Sequence, residues 1–393
     1  MTDVNQPRTA RRTLLPAGIL ATALFALLAL APLASATPDP VASGCTTVTL
    51  ENSFTKYLKT FGITVSKVSP AKLKGNKVTF TVTGGSLDPT TGLGTVNLGG
   101  GLKFKAGKKS APVKGLVLDT SKKALTGKVA GKKVKFGSLA GWSFARNGFG
   151  VNLTVKKLKL TNAAATALNK KLGYAKGKPK PFLGNKLIAK ASAETQPSTV
   201  AVLPGGNVTF TGTASTLAKL VKVGVKIETI APTASPALGL YNFPISGGTV
   251  SPAGTGGVVQ SAGGLKLVQK LQTGPTTFLT TNITLGAFYV DLAAKTATVE
   301  VVAESNASKE LNLGNLGRSS IADLTVGGVV ANPATRTVTI SAGSALQVIS
   351  AKVLNGFVEV YEGYEKAGGP KVSPEKLNPG ESLGTFAFTA VTQ

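Results

Sequence analysis

GGSLDPTTGLGTVNLGGGLK (residues 84–103) and GGTVSPAGTGGVVQSAGGLK (residues 247–266) are one segment written twice. They align without a gap, matching at Gly84/Gly247, Gly85/Gly248, Pro89/Pro252, Gly94/Gly257, Val96/Val259 and through the GGLK blocks ending at Lys103 and Lys266. Upstream, residues 62–70 align on 224–232. Downstream, Asp119 pairs with Asp291, Leu168-Asn169 with Leu354-Asn355 and Gly184 with Gly380, in the same order. Colinear echoes over roughly 150 residues indicate a duplicated module. Two long copies do not make a solenoid, so tandem globular domains are expected over residues 45–197 and 198–393.

Outside these blocks the dominant pattern has a period of two. Residues 78–82 (VTFTV), 125–129, 151–155, 158–160, 298–301 and 337–340 alternate apolar and polar positions, many of them β-branched, between Gly, Asn-Pro or Ser-Lys turns. Such segments suit antiparallel strands with one dry and one wet face. About ten per copy, without long helices between them, predict a mainly β chain: two tandem antiparallel β-sandwich domains, each with two short helices. The first helix is expected from Ser53 to about Phe61, capped by Asn52 or Ser53 and stopped by Gly62. Phe54, Leu58 and Phe61 share one face with Tyr57. Its counterpart is Ser215 to Val223. The second helix is expected from Asn162 to Leu172, with a shorter counterpart near Ser350 to Asn355.

The first 36 residues have the form of an export signal. Arg8, Arg11 and Arg12 precede an apolar run from Leu14 to Leu33, and Ala34-Ser35-Ala36 offers a small-x-small cleavage site. Cys45 lies too far beyond this run for lipid anchoring. No later stretch has the ~18 uninterrupted apolar residues of a membrane span. The mature chain is therefore expected to be secreted or held at the cell surface.

The chain has no histidine and one cysteine. Ser-His-Asp triads, Cys-His pairs, His-based zinc sites and intramolecular disulfides are excluded. Residues 101–110 lack the Walker spacing and are expected to form a hairpin and turn. An enzyme is not expected. Charge is unequally shared: residues 45–197 carry 27 Lys and one Arg against four acidic residues, net +24, whereas residues 198–393 carry +2. The near-neutral copy implies that the fold does not need the charge, so the lysines concern solvation or an anionic envelope polymer. Nucleic acid is not an expected partner, because Arg forks and stacking aromatics are missing.

The residues from 53 to 58 (SFTKYL), the Gly-Gly strand end, the GGLK block, residues 160–169 (LTNAAATALN) and residues 182–187 (FLGNKL) occur in a fixed order after an export signal. In this order they resemble the HtaA-type domain of bacterial haemin-uptake proteins, over nearly all of the mature chain. The resemblance implies a β-sandwich with short helices, exported, with haem or a haem-carrying protein as partner. It also implies Tyr57 as the axial ligand of haem iron, a role that tyrosinate can fill. Lys56 and Lys59, on the same expected helix, would favour the phenolate. Two departures stand out. The histidine that supports the family's tyrosine is missing, and Lys219 stands opposite Tyr57 in the second copy. A core role for Tyr57 remains the alternative, as does an adhesive, non-enzymatic module binding anionic polymers through its basic first domain. Trp142 and Phe144, just before Arg146, are expected between strands as core or rim aromatics, Asp119 and Asp291 as turn caps, and Lys103 and Lys266 in the strand ladder or in salt pairs.

Overall fold

A computed structural model describes residues 38–174 and 179–393; the expected export signal and its cleavage site lie outside them. The first module comprises β1 (Asp39–Leu50), α1 (Asn52–Thr60), β2 (Ile63–Val68), β3 (Lys72–Lys74), β4 (Lys77–Leu87), β5 (Gly94–Ala106) and β6 (Lys109–Asp119). It continues with β7 (Ala124–Val129), β8 (Lys132–Asn147), β9 (Gly150–Leu160), α2 (Asn162–Leu172) and β10 (Leu187–Pro197). The second comprises β11 (Val200–Ala201), β12 (Asn207–Gly212), α3 (Ala214–Lys222), β13 (Val225–Ile230), β14 (Ala234–Ala237), β15 (Leu240–Val250), β16 (Val258–Ser261) and β17 (Gly264–Gln272). After these come β18 (Phe278–Asp291), β19 (Thr296–Ser305), β20 (Gly314–Asn332), β21 (Thr337–Leu346), α4 (Val348–Lys366) and β22 (Ser382–Val391).

All pairings are antiparallel, and both sheets close on themselves. In the first, β4 pairs with β5 and, by its other edge, with β1, completing the ring β4-β5-β6-β7-β8-β9-β10-β1. In the second, the ring is β15-β16-β18-β19-β20-β21-β22-β12. The expected sandwich is thus corrected to two barrel-like sheets of eight strands each. A period of two specifies a dry face for each strand, which a sandwich and a barrel need equally. It does not reveal whether the outer strands meet.

Closure depends on glycine. Gly85 on β4 lies opposite Val96, and Gly94 on β5 lies opposite Leu87, with φ of +132° and +140°. A Cβ on Gly85 would lie 2.1 Å from the Thr95 carbonyl oxygen, and one on Gly94 2.0 Å from that of Ser86. Gly248 and Gly257 repeat the arrangement against Val258 and Thr249. Beyond this seam β5 shifts register against β6 between Leu98 and Gly101, and its residues from Gly101 to Ala106 pair with β2. In the second module the strand breaks there, β16 staying on β15 and β17 pairing with β13. The X-Pro bonds Ser69-Pro70 and Ala231-Pro232 are both cis.

The helices pack on the rings and are tied there by repeated polar contacts. Thr161 caps α2, accepting from the Ala164 amide, and Gly173 closes it at φ +86°. The side chain of Asn169 donates to the Phe182 carbonyl at 2.7 Å and accepts from the Phe182 amide at 3.2 Å. Asn355 binds Leu377 in the same two-way manner, at 2.8 and 2.7 Å. The counterpart of α2 is longer than expected: α4 has 19 residues. Gly356 and Gly363 lower its helix propensity, but Phe357, Val358 and Tyr361 continue the buried face. Gly356 also admits Leu311, whose Cδ2 would lie 2.3 Å from a Cβ there. Helix α1 begins at Asn52, one residue before the expected start, with Glu51 in place of Asn52 or Ser53 as N-cap and no side-chain cap bond.

The modules meet at the β8–β9 turn. Phe149 is buried in the second module's core, and Gly148 lies against Pro333. Arg146 donates to the main-chain oxygen of Gln393, and the buried Asp39 accepts from the Ala201 amide at 3.4 Å.

Candidate functional site

Spacing on α1 divides its apolar side chains between two environments. Phe54 and Leu58, four residues apart, point into the ring and are buried. Phe54 meets Phe182 edge to face at 6.4 Å between centroids, and Phe182 meets Phe104 at 5.2 Å. Tyr57 and Phe61, also four apart, lie on the flank, with their rings edge to face at 5.2 Å. Phe61 in turn meets Tyr174 at 6.1 Å, and the Tyr174 hydroxyl donates to the Phe61 carbonyl at 3.1 Å. Tyr57 is 40% exposed, and its hydroxyl makes no hydrogen bond among the described residues. Lys56 and Lys59 are exposed on the same helix. The structure therefore gives a surface aromatic row, Tyr57–Phe61–Tyr174, with cations alongside. The sequence pattern had not linked Tyr174 to this row.

At the corresponding place in the second module, Lys219 points to Glu381, with Nζ 2.7 and 3.0 Å from its two carboxylate oxygens. This hydrogen bond, with the Asn378 amide, holds the Glu381 carboxyl below its usual range. A structural ion pair thus occupies the position where the first module has Tyr57.

Other residues singled out in the sequence have plainer places. Asp119 accepts from the Lys122 amide, and Asp291 from the Ala293 and Ala294 amides, so both cap turns. Lys103 lies opposite Ser66, and Lys266 opposite Glu228, within the ladders. Trp142 and Phe144 are 6.4 Å apart at the rim of the first ring. Residues 101–110 form the β5–β6 hairpin.

Each module also has an apolar cavity partly open to solvent, and neither is lined by Tyr57. The first module's is a gap of about 20 Å³ beside Phe54, Phe80 and Phe104. The second module's is about 130 Å³, between α3, α4 and the inner face of the sheet. Sequence reading missed it, although the copies carry the signal: Leu50, Phe54 and Phe104 align with Gly212, Thr216 and Leu267.

No family model and no curated protein matches the chain. Among solved structures, the chain is similar to the C-terminal domain of HtaA from Corynebacterium glutamicum, at 14% identity and a TM-score of 0.35. That match covers 49% of this chain and 99% of the other. It is also similar to the domain-swapped dimer of the H434A variant of that domain, at 12% identity and a TM-score of 0.30, over 46% of this chain and 92% of the other.

Proposed function

We propose that this is an exported, non-enzymatic HtaA-like protein whose first module takes up haem through Tyr57, for acquisition or relay to a haem-carrying partner. The observation that supports this reading most is the outward Tyr57. Its motif neighbours Phe54 and Leu58 are buried, whereas Tyr57 is exposed and its hydroxyl makes no hydrogen bond among the described residues. Ferric haem accepts a phenolate axially. The aromatic row beside Tyr57 offers an apolar edge, and Lys56 and Lys59 offer positive charge for carboxylates. No histidine steadies the phenolate, so binding should be weak and release easy, as suits a relay.

Titration of the protein with ferric haemin tests this reading. A tyrosinate-type absorbance spectrum is expected, and Tyr57→Phe should abolish it. Because Tyr57 is exposed and its hydroxyl makes no hydrogen bond among the described residues, stability should change by only about 0.5 kcal/mol or less. An unchanged spectrum in the variant would remove Tyr57 from the assignment.

A second reading, attraction to anionic envelope polymers, is favoured by the state of the lysines. Among the described residues of the first module the only ion pair is Lys122–Asp119, at 3.8 Å. Free surface charge is screened over about 8 Å at physiological ionic strength. Retention on an anionic polymer column should therefore fall steeply with salt. Replacing the exposed Lys132, Lys133 and Lys135 by glutamine should lower the eluting salt concentration more than the same change at Lys309, Lys366 and Lys371 of the second module. Equal shifts would count against a basic first-module surface.

A further inference from the structure

The two modules share a ring but fill it differently. In the first, Phe54, Phe104 and Phe182 form an edge-to-face cluster that leaves a gap hardly larger than one water. Their counterparts in the second are Thr216, Leu267 and Leu377, the last identified by the matching asparagine clamp. The lost aromatic volume is not recovered by collapse: about 130 Å³ remains open. A close-packed interior does not ordinarily keep such a space.

The lining is almost wholly apolar, with Leu220, Leu265, Ile283 and Val301 among its walls, and it includes no charged side chain. It does include hydroxyls without partners. The oxygens of Ser320 and Ser350 are buried and make no hydrogen bond within the protein, and the Tyr241 hydroxyl has no side-chain partner, only the Gly239 backbone beside it. Tyr241 is 2% exposed; burial raises its phenol above the ordinary range, with a lesser opposing effect from the Gly239 backbone. Buried hydroxyls are normally satisfied, because leaving one unmade has a high free-energy cost. Two such serines, with the Tyr241 phenol, line one apolar cavity and give it a donor and acceptor set.

We propose that this cavity binds a small neutral molecule with an apolar body about the size of one aromatic ring and one hydroxyl or carbonyl group. Apolar cavities of about 150 Å³ take up benzene, and the space here, about 130 Å³ and open at one side past Leu316 and Ile349, is of similar size. The absence of charge in the lining selects against carboxylates and ammonium groups, whose desolvation would go uncompensated. The unpartnered hydroxyls select for a polar atom on the ligand. This site is separate from the Tyr57 surface and does not depend on haem binding.

The test is calorimetric titration of the whole protein with p-cresol and with toluene. Saturable one-to-one binding of p-cresol is expected, about fivefold tighter than toluene because of one added hydrogen bond. Tyr241→Phe should reduce that preference, and Leu267→Phe, which restores the first module's residue, should abolish binding of both. Should Leu267→Phe perturb folding, Thr216→Phe supplies a second filling variant, with circular dichroism checking each. No saturable binding of p-cresol would overturn the proposal, as would equal affinity for the two probes or binding that survives both filling variants.

Discussion

Replacing Gly85 with alanine is expected to lower the stability of the first module by about 4 kcal/mol. The new Cβ would fall 2.1 Å from the Thr95 carbonyl oxygen, which is main chain and cannot rotate aside. The residue also has a φ of +132°, a conformation that L side chains rarely adopt. Backbone strain of this kind costs about 1–3 kcal/mol, and overpacking adds about 1–3. Together these approach the whole stability of an ordinary domain. Trp142 is the only tryptophan, so denaturant unfolding followed by its fluorescence reports the first module directly. Gly107→Ala is the control: it also has positive φ, but no atom lies within 4 Å of the new Cβ. Equal losses at the two positions would mean that the β4–β5 seam is not what holds the ring closed.

The second large effect concerns pH. Burial pushes the Asp39 carboxyl from 3.8 to about 6; the Ala201 amide and Arg146 oppose the shift, and Asp88 adds to it. The folded protein therefore holds more protons than the unfolded chain between these values. The stabilising contribution is complete below about 3.8 and is lost as the pH rises through about 6. At neutral pH the difference is at most about 3 kcal/mol, reduced to about 1–2 by solvent at the junction rim. Asp39→Asn cannot ionise, so it should be more stable than the parent at pH 7 and similar at pH 3.5. Urea midpoints across this range provide the check, and parallel pH profiles for the two proteins would refute the assignment.

What the sequence disclosed depended on distance along the chain. Helix α2 lies where the Thr161 cap and the Gly173 stop place it. The turn roles of Asp119 and Asp291 are equally local. Ring closure was hidden because it joins strand edges whose pairing leaves the alternation unchanged. The length of α4 was hidden because Gly356 reads locally as a stop and becomes tolerable only once Leu311 arrives from a distant turn. Of the surface row, Tyr57 and Phe61 were visible as an i, i+4 pair, whereas Tyr174 comes from 113 residues beyond Phe61. Asp39 and Arg146 reach across to Ala201 and Gln393, contacts no local pattern encodes.

The short strands outside the rings carry a last consequence, for self-association. A closed ring offers no outer strand for another chain to pair with, so the remaining templates for fibre growth are short appendages. Each is blunted. Strand β3 is Lys-Leu-Lys, β14 contains Pro236, and β13 displays Lys226 and Glu228. Charge and proline at such positions are how β proteins discourage strand-to-strand growth. Lys72 and Lys74 therefore act as gatekeepers against aggregation, a role separate from any attraction to an anionic partner. Exchanging them for valine would open a route to fibrils while leaving the fold itself intact.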